Sequence, residues 1–426
     1  MALFICSNCG YGSASWMGRC PDCQNWNTFV EQVEEKRSKN KKADKLELTP
    51  LSDIKQVRKE KKPTGLDEFD RVVDGGIVKG EVILLTGEPG VGKSTLLLQA
   101  LKKLKTIYIS GEESADQVQD RAQRLKINLR NIFYSNNLQV EAIVEAVSDR
   151  KDDIDIVVAD SIQTLSSLEF NKPAGSINQL KTVTSKLTKM AKSLNIPVVI
   201  IGHITKGGAI AGPKTLEHLV DCVLVFEGEK TSNHRILRAT KNRFGNIEEI
   251  GIFEMKQTGL SQVNDPAAFL ESSDEQAIGK AIVGVSEGKR TLFFEIQALA
   301  SYSNMSYPRR VVKGIDYNKL LLILAVLKKQ LNIPIDRYDV YVNVVSGVSV
   351  KSTAADLGIA ASLISSIRNV QIPNKTVFIG EVGLLGEVRK ASQEEKIIRE
   401  ARRLKFKNII NSEVVKKIRD LRDILF

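Results

Sequence analysis

The stretch Glu81-Val-Ile-Leu-Leu-Thr86, followed by Gly87-Glu88-Pro89-Gly90-Val91-Gly92-Lys93-Ser94-Thr95, decides the fold. An apolar, β-branched run ends in closely spaced glycines, and a helical pattern begins at once. Glycine lets successive backbone N–H groups curl around an anion, and a helix starting there turns its positive end to the same point. Lys93 is placed to reach terminal phosphates and Ser94 to offer a hydroxyl to Mg²⁺. Gly87 through Thr95 are therefore expected to bind ATP with Mg²⁺.

Outward from the loop, Thr106-Ile-Tyr-Ile-Ser110, Ile154-Asp-Ile-Val-Val-Ala159 and Pro197-Val-Val-Ile-Ile201 are short, apolar and β-branched. They read as strands buried on both faces of a parallel sheet. Helical patterns at Thr95–Leu104 and Asn178–Leu194 fall between them, which predicts an α/β domain with helices on both sides. A nucleotide loop needs an acid at the end of another buried strand, and Asp160 is so placed to hold magnesium through water. No glutamate follows Asp160, so the group that aligns attacking water must come from another strand end. Glu112 is the candidate, with Glu113 the alternative; the bland reading makes both solvated loop acids.

Two glycine-containing segments follow strand ends, where ligands gather in such sheets. One runs Leu165–Ile177 and carries Lys172; the other, Thr205–Lys214, carries Lys206 and Lys214. They are either basic loops for a nucleic-acid backbone or ordinary surface loops. His203, just past a strand, is either a γ-phosphate sensor or a hydrogen-bonded structural histidine. In Lys241-Asn-Arg-Phe-Gly245, after the strand-like His234–Thr240, Lys241 and Arg243 share a short turn suited to reach a neighbouring subunit's phosphate.

Four of the five cysteines form two knuckles, Cys6-x2-Cys9 and Cys20-x2-Cys23. Two thiolate pairs complete the tetrahedron that Zn²⁺ prefers and leave no open position, so the expected zinc is structural. Cys222 lies in an apolar run and is expected to be inert core. The 426 residues suggest two or three domains, and a net charge of +11 favours a polyanionic partner, nucleic acid before membrane. No apolar run is long enough for a membrane span and the N-terminus carries no basic segment of a signal peptide, so a soluble cytoplasmic protein is expected. Residues 31–62 hold 11 Lys or Arg against 7 Asp or Glu and read as a charged linker. The polar stretch Thr258–Gln276 reads as a boundary, beyond which a second αβ pattern begins. The expected organisation is a zinc finger at 1–30, the linker at 31–62, an ATPase domain at 63–264 and a further α/β domain at 265–426. From Val388 onward, 12 basic side chains face 6 acidic ones, either a solvated helix face or the lining of a nucleic-acid channel.

Together these residues resemble the RadA (Sms) family of bacterial repair ATPases, of the RecA-like type, over nearly the whole chain. The resemblance is carried by the four cysteines, Thr64-Gly-Leu-Asp-Glu-Phe-Asp70, the phosphate loop, Ser110-Gly-Glu-Glu-Ser114, Asp160-Ser-Ile-Gln-Thr164 and Gly202-His-Ile-Thr-Lys206. It continues with Leu216-Glu-His-Leu-Val-Asp221, the signature Lys241–Gly245, Asp339-Val-Tyr-Val-Asn343 and Ala354-Ala-Asp-Leu357. It implies a RecA-like P-loop core, an N-terminal zinc finger and a C-terminal domain like the proteolytic domain of Lon. It further implies hexameric rings around single-stranded and branched DNA, DNA-stimulated ATP hydrolysis, branch migration of recombination intermediates, and the RecA recombinase as a partner. Glu112 would activate water, the two basic loops would contact DNA, and Lys241 and Arg243 would act across a subunit interface.

Lon-type proteolysis needs a serine nucleophile with a lysine base. Ala354 stands at the serine position, Ser352 and Thr353 fall out of register, and the lysine position lies near Lys396–Ile397. Where the family usually has Pro after Gly-Glu-Val-Arg, this chain has Lys390. The expectation is a DNA-dependent ATPase and not a protease. A nucleotide-switched scaffold that binds DNA without translocating is the competing class, with an ATP-fuelled protease third.

Overall fold

The computed structural model describes residues 3–9, 11–32, 50–53, 60–170, 172–203, 215–228, 233–270, 277–345 and 349–425. The chain forms two compact units, Met1–Arg58 and Lys59–Phe426. In the first, β1 (Leu3–Cys6) lies between β2 (Gly12–Ser13) and β3 (Phe29–Gln32), both antiparallel to it. The buried apolar side chains described there are Cys6, Cys20 and Phe29. So small a core needs a further tie, of the kind a metal would supply. β3 runs two residues into the stretch expected to be linker, and Lys61–Lys62 at its far end pair with Ile77–Val78. Most of that stretch lies outside the described residues.

Among the described residues, the second unit contains two large sheets and two two-stranded ones. The larger uses β4 (Val82–Gly87), β5 (Thr106–Ser110), β6 (Ile132–Ser135), β7 (Ile156–Asp160), β8 (Val198–His203), β9 (Cys222–Glu227), β10 (His234–Asn242), β11 (Ile250–Lys256) and β12 (Gly259–Gln262). Among the described residues the order is β12-β11-β10-β9-β4-β8-β7-β5-β6. The six strands from β9 to β6 are parallel, and β10–β12 add an antiparallel flank. Alternate residues of β4 enter different cores, as a strand's period of two requires. Ile83 and Leu85 pack with Leu96 and Leu97 of α1 (Lys93–Ala100) and Val118 of α2 (Ala115–Arg124). Val82 and Leu84 pack with Leu180, Val183 and Leu187 of α3 (Ile177–Leu194).

Parallel strands with helices on both faces are what the alternation predicted. Strand β12, however, lies inside the stretch read as a polar boundary. Only Leu260 supplies a large apolar side chain in Gly-Leu-Ser-Gln, too weak a pattern to recognise; pairing with β11 makes it the sheet's edge.

The second sheet contains β13 (Lys280–Glu287), β14 (Arg290–Tyr302), β15 (Arg310–Lys313), β16 (Tyr338–Val344), β17 (Thr376–Phe378) and β18 (Asn408–Ile410), ordered β15-β16-β14-β13-β17-β18. Its core is built with helices Tyr317–Leu331, Asp356–Arg368 and Glu394–Arg403. The turn between β13 and β14 packs on the first sheet. Gly288 sits there at φ +59°, and a Cβ would stand 2.1 Å from the Glu248 carbonyl oxygen. Arg238 Nη1 donates to Glu287 at 2.6 Å, and Arg290 donates through both terminal nitrogens to Glu68 at 2.7 Å. Glu68 is fully buried and also accepts the Ile252 N–H at 2.9 Å. No described helix is long and apolar enough to cross a membrane.

Removing one partner of a buried ion pair strands the other charge. Arg290→Ala is expected to cost about 3 kcal/mol. The Glu68→Leu/Arg290→Leu pair should cost clearly less than Arg290→Ala, read from urea unfolding midpoints.

Candidate functional site

The phosphate loop leaves β4 between β9 and β8, and the parallel register sets His203 opposite Gly87. Gly90 adopts φ +80°, and nothing lies within 4 Å of where its Cβ would be, so the loop's outer curve is open to a phosphate. Lys93 opens α1 at 4% exposure. Its ammonium donates to the carbonyls of Gly87 and Glu88, at 2.9 and 3.0 Å, and lies 3.1 Å from His203 Nδ1. Burial lowers its pKa, with Asp160 and Glu112 opposing the shift. Beneath the loop, Arg235 Nε donates to the Val91 carbonyl at 3.1 Å, a buried support for the loop that sequence reading missed.

Asp160 ends β7, paired with Ser110 of β5, while Tyr108 pairs with Val158. Tyr108 therefore lies diagonally across the ladder on the face that Asp160 shares. Its hydroxyl donates to Asp160 Oδ2 at 2.7 Å, and the Ser94 hydroxyl donates to the same oxygen at 2.8 Å. Burial raises the Asp160 carboxyl above its usual range, opposed by these two hydrogen bonds and reinforced by Glu112 and Glu113. A buried carboxylate crowded by acids calls for a cation, and Ser94 and Asp160 are the hard oxygen donors Mg²⁺ prefers. Tyr108 was not foreseen because in sequence it is one apolar-looking residue of a strand.

The two glutamates past β5 have separate fates. Glu113 accepts from Arg121, with Nη2 at 2.6 Å, and its carbonyl accepts the Tyr134 hydroxyl at 2.8 Å. Glu112 turns toward the site, accepting the Ser161 hydroxyl and lying 3.0 Å from His203 Nε2. Oxygens of Glu112 and Asp160 and a nitrogen of His203 all lie within 4.8 Å of one another.

Lys241 and Arg243 lie at the other end of the sheet, where β10 pairs with the start of β9. The Lys241 ammonium donates to the carbonyls of Glu217 and Val220, at 2.6 and 2.7 Å, within its own chain. Burial lowers its pKa, and Arg243 adds to the shift. The Arg243 side chain is 60% exposed, with Nη1 3.7 Å from Asp221. Lys172 is exposed; its carbonyl accepts from buried Gln179 at 3.1 Å, and Gln179 also gathers Ser167 and Phe170 of the same loop. Lys206 and Lys214 lie outside the described residues.

In the C-terminal sheet's domain, Ala354 is buried and the Ser352 hydroxyl accepts the Ala354 N–H at 3.2 Å. Lys319 pairs with Asp356 at 2.8 Å, and Lys396 lies 3.4 Å from the Gly288 carbonyl and from Gln393.

Cys6, Cys9, Cys20 and Cys23 bring their sulfurs within 4.8 Å of one another. The Thr28 hydroxyl, at 3.1 Å, helps hold the Cys6 thiol down at about 6. Cys9 has a favourable Tyr11 backbone N–H, yet desolvation and the neighbouring thiols push it up to about 12. Four thiolates so close require a cation among them, and four sulfur donors fit zinc.

Three family descriptions match successive parts of the chain: the KaiC ATPase over residues 62–263, a rubredoxin metal-binding domain over 4–31, and subunit ChlI of Mg-chelatase over 319–414. The DNA repair protein RadA of Listeria monocytogenes is 43% identical over 416 residues, 95% of this chain and 91% of its own. That of Bacillus subtilis is 43% identical over 420 residues, covering 96% and 91%, and that of Campylobacter jejuni 43% over 419 residues, covering 96% and 93%. A solved RadB recombinase covers 47% of this chain and 99% of its own at 22% identity, with a TM-score of 0.38, too loose a superposition to bear on the site.

Cys9→Ser is expected to lower zinc retained after dialysis, read by metal analysis of the purified protein. The ATPase sheet's thermal transition should stay in place, since Lys59–Phe426 is a compact unit of its own.

Proposed function

The chain belongs to the RadA family of DNA repair proteins, and from that premise we propose that it is a DNA-dependent ATPase that migrates branches of recombination intermediates. The RecA-like ATPase core, the zinc ribbon and the Lon-like C-terminal domain are the frame for this activity. The observation that carries the reading is the meeting of Ser94, Tyr108 and Asp160 in one buried hydrogen-bonded group, with Glu112 beside it. Backbone N–H groups of Gly87–Ser94 and the Lys93 ammonium hold the phosphates of ATP. Ser94 and Asp160 would hold magnesium, which when bound would supply positive charge against the transferring phosphoryl. Glu112 orients the attacking water and takes its proton, because Glu113 is already engaged by Arg121.

The signature turn divides its work. Lys241 is bonded within its own chain and fixes the turn, so Arg243 is the group that presents charge outward to a neighbouring subunit's phosphate. This narrows the expectation that both cations cross the interface. A hexameric ring would gather six copies of the loops bearing Lys172, Lys206 and Lys214 around DNA, adding weak contacts together. The RecA recombinase is the expected protein partner and the cytoplasm the expected location. Proteolysis is disfavoured by Ala354 at the nucleophile position and by the capping role of the Ser352 hydroxyl.

The test is ATP turnover and branch migration on three- and four-stranded DNA by wild type, Arg243→Ala and Lys241→Ala. Arg243→Ala should lose at least about a hundredfold in DNA-stimulated turnover and migrate no branches, since charge supplied across an interface can be worth more than that. Lys241→Ala should lower the thermal midpoint as well as turnover. DNA-stimulated turnover in wild type without branch migration would move the reading to the scaffold, and normal migration by Arg243→Ala would remove its role.

A further inference from the structure

His203 closes β8 level with the first glycine of the loop, and its two ring nitrogens face different partners. Nδ1 lies 3.1 Å from Lys93 Nζ, and Nε2 lies 3.0 Å from the Glu112 carboxylate. An ammonium carries protons and no lone pair, so the first contact has one sense: Lys93 donates and Nδ1 accepts. The single proton of a neutral imidazole then sits on Nε2, where Glu112 accepts it. The tautomer is set by its neighbours on both sides. The other two Lys93 protons go to the carbonyls of Gly87 and Glu88.

Glu112 needs such support. Its side chain is 38% exposed and stands past the end of a strand, where a free glutamate loses rotamer entropy on being fixed. Two donors, His203 Nε2 and the Ser161 hydroxyl, aim its carboxylate. A carboxylate offers about four lone-pair directions, so two donors still leave room for a water. Ser161 follows Asp160 directly, and His203 is bonded to Lys93. Both supports of Glu112 are therefore tied to the groups that would hold phosphate and magnesium.

We propose that His203 is a positioning residue for hydrolysis: it holds the Glu112 carboxylate where water is oriented and joins it to Lys93 in one hydrogen-bonded chain. This rests on the ATPase reading above. His203 then acts through Glu112, a role different from the phosphate sensor and from the inert structural histidine between which the sequence could not choose. The chain needs an acceptor facing Lys93 and a donor facing Glu112, held a fixed distance apart by one planar group. A glutamine amide offers the same pair. Leucine fills the space without either, and asparagine offers both groups on a stem too short to span the two partners.

The experiment compares full-length wild type, His203→Gln and His203→Leu for kcat and KM with saturating single-stranded DNA, and for affinity towards a fluorescent ATP analogue. His203→Leu should lower kcat about 30-fold and change nucleotide affinity less than about threefold, while His203→Gln stays within about threefold of wild type in both. In a Glu112→Gln background, adding His203→Leu should change the residual rate by less than about twofold, because the residue acts only through the glutamate. If His203→Leu does not fold by circular dichroism, His203→Asn takes its place with the same expectation. An unchanged kcat, a loss confined to nucleotide affinity, a loss as large in His203→Gln, or fully additive losses with Glu112→Gln would each overturn the proposal. A wild type that hydrolyses no ATP with any DNA would sink the ATPase reading itself. Wild-type turnover with unaffected His203 variants would sink only the chain from Lys93 to Glu112.

Discussion

Val82, Ile83, Leu84 and Leu85 of β4 have no face left for water, being packed beneath helices on both sides and paired with β8 and β9 along their edges. A strand so confined delivers the phosphate loop to one place. Its parallel ladder with β8 then carries His203 level with Gly87, and β8's other neighbour, β7, brings Asp160 to the same end of the sheet. The site is thus assembled by strand register: three strands end together, and the loop and helix start after β4 meet the last side chains of β7 and β8.

What meets there is charge removed from water. Lys93 and Asp160 are both nearly buried, and burial shifts each toward its neutral form. Hydrogen bonds from Ser94 and Tyr108 to Asp160, and from Lys93 to loop carbonyls and His203, satisfy these groups. Such a cluster is poised for a polyanion with its cation, since either supplies charge that the protein withholds. Far from it, the bidentate contact of Arg290 with buried Glu68 fastens the second sheet to the first within one unit.

The core strands and the phosphate loop were legible because they depend on local pattern: β-branched apolar runs, glycines at fixed spacing and an acid after a buried run. The cysteine knuckles were legible for the same reason. Side chains placed by register between distant strands were not. Tyr108 reads as one more apolar strand residue until pairing sets it diagonally from Asp160, and Arg235 reads as a surface cation until β10 takes it beneath the loop. The choice between Glu112 and Glu113 was open for a related reason: Arg121, which claims Glu113, sits on the following helix and leaves no mark in the motif. Strand β12 was hidden in a polar stretch because an edge strand needs only one buried side chain to hold its place.

On the proposed reading Glu112, and not its neighbour, serves the group formed by Ser94, Tyr108 and Asp160. The most direct measurement is ATP turnover in the presence of single-stranded DNA by Glu112→Gln and Glu113→Gln, with nucleotide binding measured beside it. Glu112→Gln should bind nucleotide and lose about 10²–10⁴-fold in turnover, the usual worth of a positioned base. Glu113→Gln should weaken the Arg121 contact, lower thermal stability and keep most of its turnover. The reverse order, or equal losses in the two variants, would contradict the account.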